Sequence, residues 1–268
     1  MTPGTETPEA PLPPPTVAVV VITLNEADRL APALESCRGF ADELLVVDSG
    51  SRDGTPDLAR TLGARVVVHP FSDFADQKNF AMAQVSSSWI FNLDADERAS
   101  VDLAAAIGEF KRRPPPSLPA GFAIARKSAY LGRWIEHSGW YPDRKVRLFR
   151  REGAHWQGRV HERLSLPGPV DRLPGEILHH TYRDIADHLR KINTYTSFQA
   201  EGMAGRSTLR LLLSALLLPP VTFFRHYCWK RGVLDGFPGL VIAVLSAWGT
   251  ALKNLKAIER RRPPRPPG

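Results

Sequence analysis

Cysteine is scarce. Cys37 and Cys228 are the only two in 268 residues, far apart and outside any CxxC or metal-ligand spacing. Neither a disulfide framework nor a thiolate metal centre can organise this fold, and two unrelated free thiols fit a reducing compartment. The first residues lack a basic stretch followed by an apolar one, which excludes a secretory signal and leaves the bulk of the chain with an expected cytoplasmic location. RRM, KH and helix-turn-helix patterns are missing too, so the basic residues described below have no nucleic-acid module to serve. Acidic residues are scarce in one part of the chain only. Residues 1–100 carry 7 Lys or Arg against 15 Asp or Glu, while residues 101–268 carry 28 against 13. A net charge of +7 therefore conceals an acidic end and a strongly basic one. The basic part is suited to an anionic partner such as a nucleic acid, a phosphorylated glycolipid or a membrane surface.

Hydrophobic residues make up 43% of the chain, enough to bury a substantial core. Proline is abundant, and Pro3, Pro8, Pro11, Pro13, Pro14 and Pro15 crowd a leader with almost nothing to pack. Residues 1–15 therefore read as a disordered tail. Next, "TVAVVVITLNE" is a continuous apolar run that stops at Asn25 and Glu26, the signature of a strand buried on both faces. "DRLAPALESCRGF" reads as a helix and Leu44–Val47 as a second buried strand, followed by a polar turn from Asp48 to Thr55. "PDLARTLG" is a helix with Pro56 near its first turn, "ARVVVHPF" a third strand, "DQKNFAMAQV" another helix and "SSWIFNLDADE" a fourth strand. Strands alternating with short helices predict right-handed crossovers and a parallel sheet, the first half of a doubly wound α/β domain.

Ligands of such sheets bind at the carboxyl ends of the strands. That rule gathers Asn25 and Glu26, Asp48 to Asp53, and Asp94, Asp96 and Glu97 along one edge. Each group alone also suits turn and N-cap chemistry. The last group ends an apolar strand on three like charges, and solvent, a metal ion or an arginine neighbour would have to offset their repulsion. The metal is the favoured answer, because Asp94 and Asp96 form a D-x-D pair whose oxygens suit Mg²⁺ or Mn²⁺ on a diphosphate.

The motifs "VVVITLNE", "ELLVVDSGSRDGT", "DQKNFA" and "WIFNLDADE", in this order, resemble glycosyltransferase family 2, whose members use the GT-A nucleotide-diphospho-sugar fold. "GWYPDRKVRLFRR", "WQGRVHERL" and "HHTYRDIADHLRKINTYT" extend the likeness to a bacterial subgroup that adds β-1,4-glucose to heptose of the lipopolysaccharide inner core. The resemblance covers about residues 16–258 and implies an inverting transfer from a UDP-sugar. It implies that Thr23, Asn25, Glu26 and Asp48 embrace the uridine, with Asp48 accepting from the uracil ring, and that Lys78 lies by the base and ribose. Asp94 would face the ribose or a metal-bound water, Asp96 would hold the metal across the phosphates, and His161 would complete its shell. Asp143 is the favoured base and Glu162 the other candidate. A packed histidine at His161, and a salt bridge from Asp143 to Arg144 or Arg147, are the structural alternatives.

His179 and His180 are adjacent and in an extended segment would point to opposite faces, so they share no metal. His137, His155 and His188 lack ligand spacing and are assigned core or surface roles. Between Arg126 and Arg163 ten basic residues face four acidic ones, interleaved with aromatics, a mixture suited to an anionic, phosphate-bearing saccharide acceptor. The expected division is a GT-A domain over residues 16–200, with a nucleotide-binding half at 16–111 and an acceptor half at 120–200. Amphipathic helices over 206–259 and a basic, proline-rich tail over 260–268 follow. Leu209–Leu218 is too short to cross a bilayer and runs into Pro219-Pro220, and Gly236–Leu252 is at the lower limit of a span. Both read as interfacial helices on the inner face of the cytoplasmic membrane, with Arg225, Lys230, Arg231, Lys253 and Lys256 at anionic headgroups. A helical-hairpin dimer is the other use of the same segments. Two competing functions are a sugar nucleotidyltransferase, whose Gly-rich start is missing after strand one, and a non-catalytic binder of membrane or nucleic acid.

Overall fold

A computed structural model describes residues 13–113, 118–158 and 162–261. Most of the expected proline-rich leader, the arginine-proline tail from residue 262 and His161 lie outside the described residues. The chain divides into two units, residues 1–125 with 144–177, and residues 126–143 with 178–268.

The first unit is built on the alternation read in the sequence. Strands β1 (Val17–Thr23), β2 (Glu43–Asp48), β3 (Arg65–Val68) and β4 (Trp89–Asp94) run parallel in the order β3-β2-β1-β4. β1 is buried on both faces because its residues alternate between two cores. Val17, Val19 and Val21 enter one with Leu34, Phe91 and Phe110, while Ala18 and Val20 enter the other with Val47, Ile90 and Phe149. Crossovers are made by α1 (Leu30–Glu35), α2 (Thr55–Thr61) and α3 (Phe74–Ala83). α1 is shorter than its apolar pattern predicts, because Ser36 turns its hydroxyl back onto the Ala33 carbonyl at 2.7 Å and ends the helix.

After β4 the chain forms the short β5 (Glu97–Ala99) and α4 (Val101–Phe110), capped by the Ser100 hydroxyl. β6 (Gly121–Tyr130), β8 (Asp143–Arg150) and β11 (Val170–His179) extend the sheet, which continues past β4 in the order β8-β6-β11-β5. β8 pairs antiparallel with β4, Leu148 lying opposite Phe91 and Phe149 opposite Ile90. β9 (His155–Gln157) and β10 (Arg163–Ser165) form a separate antiparallel pair. Cys37 is buried in this unit, and burial pushes its thiol up to about 12, in keeping with an unreactive side chain.

The second unit contains β7 (Arg133–Trp134), which pairs with the end of β6, and the helices α5 (Ile185–Glu201), α6 (Thr208–Phe224) and α7 (Phe237–Glu259). Asp184 caps α5 by accepting from the Asp187 N–H. α6 does not stop at Pro219-Pro220, as the sequence suggested, but passes through both and continues in a wider turn from Arg225 to Trp229. Proline costs a helix its N–H bond and a clash. Packing along α7, where Leu211 and Ala257 share a core and Thr222 meets Thr250, outweighs that cost. Thr208–Trp229 and Phe237–Glu259 are both long and apolar enough to cross a membrane by length and composition. A single turn of 3-10 helix, Gly232–Asp235, joins them.

Candidate active site

In the first unit, strand register brings the polar ends together. Thr23 of β1 lies beside Asp48 of β2, and Ile22 lies beside Asp94 of β4. The loop after β1 and the loop after β2 are laced to each other. Asn25 donates its N–H to the Ser51 hydroxyl at 2.7 Å and accepts the Arg52 N–H at 2.9 Å. Glu26 donates its N–H to the Thr55 hydroxyl at 2.9 Å, and Asp53 accepts from the Ala27 and Thr55 N–H groups. The Thr55 hydroxyl, with those N–H groups, holds the Asp53 carboxyl below its ordinary pKa. Asn25 and Gly50 adopt positive φ, the left-handed geometry that Asn and Gly tolerate best.

Asp48 is only 1% exposed. One carboxylate oxygen accepts the N–H groups of Gly50 and Ser51, and the other accepts the hydroxyls of Thr23 and Ser51. All four acceptor positions of a carboxylate are thus used within the protein, so a uracil imide would have to displace one of these donors, the hydroxyls of Thr23 and Ser51 being the two that are not backbone groups.

The D-x-D segment rests on an arginine that the sequence reading did not assign to it. The Nη2 of Arg147, on β8, donates to Asp94 and to Glu97, each at 2.8 Å. Arg147 and Glu97 are both buried. Burial opposes the charge on Arg147, but Asp94 and Glu97 outweigh it and keep its pKa above the usual arginine value. Glu97 also accepts the Asp94 N–H at 3.1 Å, so it braces the turn from within. Asp96 pairs with Arg29 at 3.4 Å. The repulsion among three carboxylates is therefore offset by arginine neighbours, the candidate ranked below a metal ion in the sequence reading. A divalent cation still fits the donor set. No group of three or more His, Cys, Asp or Glu forms a cage among the described residues, while two carboxylates in a D-x-D pair match an ion shared with a substrate diphosphate rather than enclosed by protein.

The "QKN" triplet of α3 ties three places together. Gln77 reaches the Ser49 hydroxyl at 2.7 Å, Lys78 donates to Glu162 at 2.8 Å, and Asn79 clasps both backbone groups of Trp156. Lys78 is buried, with its ammonium 4.4 Å from the Trp156 ring centre. Glu162, one of the two candidate bases, is thereby held in an ion pair.

Asp143 belongs to the second unit. It pairs with Arg126, whose Nε and Nη2 both donate to one carboxylate oxygen, at 3.2 and 2.6 Å. His179 and His180 diverge as expected, the first meeting the Ser128 hydroxyl at 3.2 Å and the second the Trp134 ring. The structure thus brings Thr23, Asn25, Glu26, Asp48, Asp94 and Asp96 to one strand-end region of the first unit and joins Lys78 to Glu162. Arg147, Ser51 and Arg29 went unrecognised. One signal was available for Arg147, a single cation inside the apolar run "VRLF".

The family model for glycosyl transferase family 2 matches residues 18–161, more than half of the chain. The chain is 28% identical over 246 residues to the lipopolysaccharide core biosynthesis glycosyltransferase LpsC of Rhizobium meliloti, covering 86% of this chain and 90% of that protein. It is 26% identical over 252 residues to an uncharacterized glycosyltransferase of Rickettsia prowazekii, covering 90% of this chain and 86% of its relative. A solved structure of the mannosyltransferase PcManGT from Pyrobaculum calidifontis, in complex with GDP-Man and Mn²⁺, matches 96% of this chain and 92% of its own, with a TM-score of 0.51 and 14% identity. At that identity the likeness bears on the fold alone, which is GT-A.

Proposed function

The chain belongs to glycosyl transferase family 2, and from that premise we propose that it moves a hexose, glucose from UDP-glucose, onto a lipid-linked saccharide of the lipopolysaccharide inner-core type. The observation that carries this reading is the strand register, which sets Thr23 beside Asp48 and the D-x-D segment beside the end of β1. That is where a nucleotide binds in an open α/β sheet. The similarity to LpsC over most of both chains supports the class of acceptor.

In this reading Thr23, Asn25, Glu26 and Asp48 receive the uridine, the Ser51 hydroxyl giving way to the base, and Lys78 flanks the ribose side. Asp96 would hold the divalent cation, with His161 as a further ligand, and Asp94 would face the ribose or a metal-bound water. Such an ion, Mg²⁺ or Mn²⁺, supplies charge stabilisation for the departing diphosphate. The remaining chemistry belongs to the chain. Asp143 accepts the proton of the acceptor hydroxyl as that oxygen bonds to the anomeric carbon and the bond from that carbon to the UDP oxygen breaks. Glu162 keeps Lys78 in place. The basic second unit works at the inner face of the cytoplasmic membrane, where the acceptor is anchored.

Calorimetric titration with UDP, with and without Mn²⁺, tests the donor half on the parent and on Asp96→Asn. Metal-dependent binding that the substitution abolishes is the expected result. Folded parent protein that binds no UDP under either condition would sink the proposal.

A further inference from the structure

The second unit contains a pocket of about 300 Å³ that the donor chemistry leaves unused. Its lining includes Arg126, Ser128, Trp140, Asp143, His179 and Tyr182. We infer that this pocket binds one uncharged sugar ring of the saccharide acceptor, with Trp140 and Tyr182 against the ring face and the Arg126–Asp143 pair reading its hydroxyls. The assignment of the ring to the acceptor rests on the glycosyltransferase reading. The sugar-binding chemistry stands on the pocket itself.

Size comes first. A volume of about 300 Å³ is at the small end of ligand sites, which suits a single ring and excludes a whole oligosaccharide. Composition divides the lining into an aromatic side and a polar side. Trp140 and Tyr182 lie 5.9 Å apart between ring centres and are tilted by 49°, forming an angled apolar surface. The polar side offers donors and acceptors in fixed places, the guanidinium of Arg126, the carboxylate of Asp143 and the hydroxyl-imidazole contact of Ser128 with His179. A pyranose has the same two characters, C–H faces and an equatorial belt of hydroxyls.

Charge decides between a neutral ring and a phosphate. Arg126 already donates twice to Asp143, at 3.2 and 2.6 Å. An anionic group would have to compete with that charge-assisted pair and would face the Asp143 carboxylate. Hydroxyls bond to both partners without separating them. The phosphates expected on the acceptor therefore lie outside this pocket.

The aromatic side is built in advance of any ligand. Tyr130 contacts both Trp140 and Tyr182 at 5.6 Å between centres, and His188 stacks on Tyr182 at 4.0 Å while its Nδ1 meets the Tyr130 hydroxyl at 2.9 Å. The loop that presents Trp140 and Asp143 is anchored by Asp235, a buried carboxylate contributed by the connection between α6 and α7. Asp235 accepts the Ser138 hydroxyl at 2.7 Å and the N–H groups of Glu136 and His137, each at 3.2 Å. Ser138 donates its own N–H to the Lys230 carbonyl at 2.9 Å. A preformed wall avoids ordering costs on binding, which is what a weakly held neutral sugar requires.

Saturation-transfer NMR on the full chain with a deacylated inner-core oligosaccharide, without donor, tests the pocket directly. Transfer concentrated on the C–H protons of one sugar residue is expected, lost in Trp140→Ala and kept in Trp140→Phe. Enzymatic removal of the phosphates should leave it in place. In turnover assays Trp140→Ala should raise the acceptor KM about tenfold or more while the donor KM and UDP affinity stay unchanged. Transfer and acceptor KM that are indifferent to Trp140→Ala would overturn the proposal. A rise in donor KM instead would assign the ring to the donor sugar and equally overturn it, as would loss of transfer on dephosphorylation. Saccharide transfer in a parent that binds no UDP would support the pocket while the donor proposal fails.

Discussion

Replacing Arg147 by Met would leave Glu97, which is buried, and Asp94 without the guanidinium that both contact at 2.8 Å. Breaking a buried ion pair from one side costs about 3–5 kcal/mol, because the surviving charge keeps its desolvation penalty. Arg147→Met should therefore lower the urea unfolding free energy by about that much, and adding Glu97→Gln should restore part of it. A single variant within about 0.5 kcal/mol of the parent would show that the cluster is solvated and Arg147 replaceable. The contrast with Asp96→Asn is informative, since Asp96 pairs with Arg29 at the longer distance of 3.4 Å and its loss is expected to act on UDP binding rather than on folding. At this scale the carboxylates could be read from the chain because each follows an apolar run. Their counter-ion could not, since Arg147 reaches them only through the antiparallel pairing of β8 with β4, 50 positions from Glu97 and 53 from Asp94, and no local pattern encodes that pairing.

Among the elements, the parallel strands were readable because burial on both faces leaves uninterrupted apolar runs. Those runs fixed β1, β2 and β4 closely. The helices were less readable where tertiary contacts overrule local preference, as in α1, stopped by Ser36, and in α6, carried through two prolines by its packing on α7. α5 shows how a core role can be tested at this scale. His188 pins the helix to the end of β6, bonded to Tyr130 and stacked on Tyr182. Burial, with Lys191 adding to it and Asp187 opposing, lowers its pKa from 6.5 to about 4. A histidine whose folded pKa is depressed stabilises the fold fully above its unfolded pKa and loses that contribution as pH falls toward the folded value. Between pH 6.5 and about 4 the parent should thus lose stability more steeply than His188→Gln. Their thermal midpoints, compared across that range, should converge as acid is added. Parallel curves would show that His188 titrates alike in both states and is not held neutral by its neighbours.

Across the whole molecule, charge divides with the structural units. The first carries 18 Lys or Arg against 21 Asp or Glu, the second 17 against 7. The second unit also holds the two long apolar helices, and only 11% of the most apolar window of Thr208–Trp229 is buried. Leu216 is 70% exposed and Trp229 86%, with Leu209, Leu217 and Phe224 also exposed. An apolar, tryptophan-bearing surface set among cations is the combination that partitions to anionic lipid, cations drawing the protein to the headgroups and side chains entering the acyl boundary. A helix of 22 residues is about 33 Å long, comparable with the hydrocarbon core, so depth cannot be argued from length alone. The purified chain should cosediment with phosphatidylglycerol vesicles and much less with phosphatidylcholine. Binding should weaken as salt screens the cations, and Leu216→Glu combined with Leu217→Glu should reduce it several-fold by charging the exposed face. Release by alkaline carbonate would place the helices at the interface, and retention would place them across the bilayer. Equal, negligible binding to both lipids, together with a dimer in light scattering that the paired glutamates dissociate, would reassign the apolar surface to a second copy of the chain.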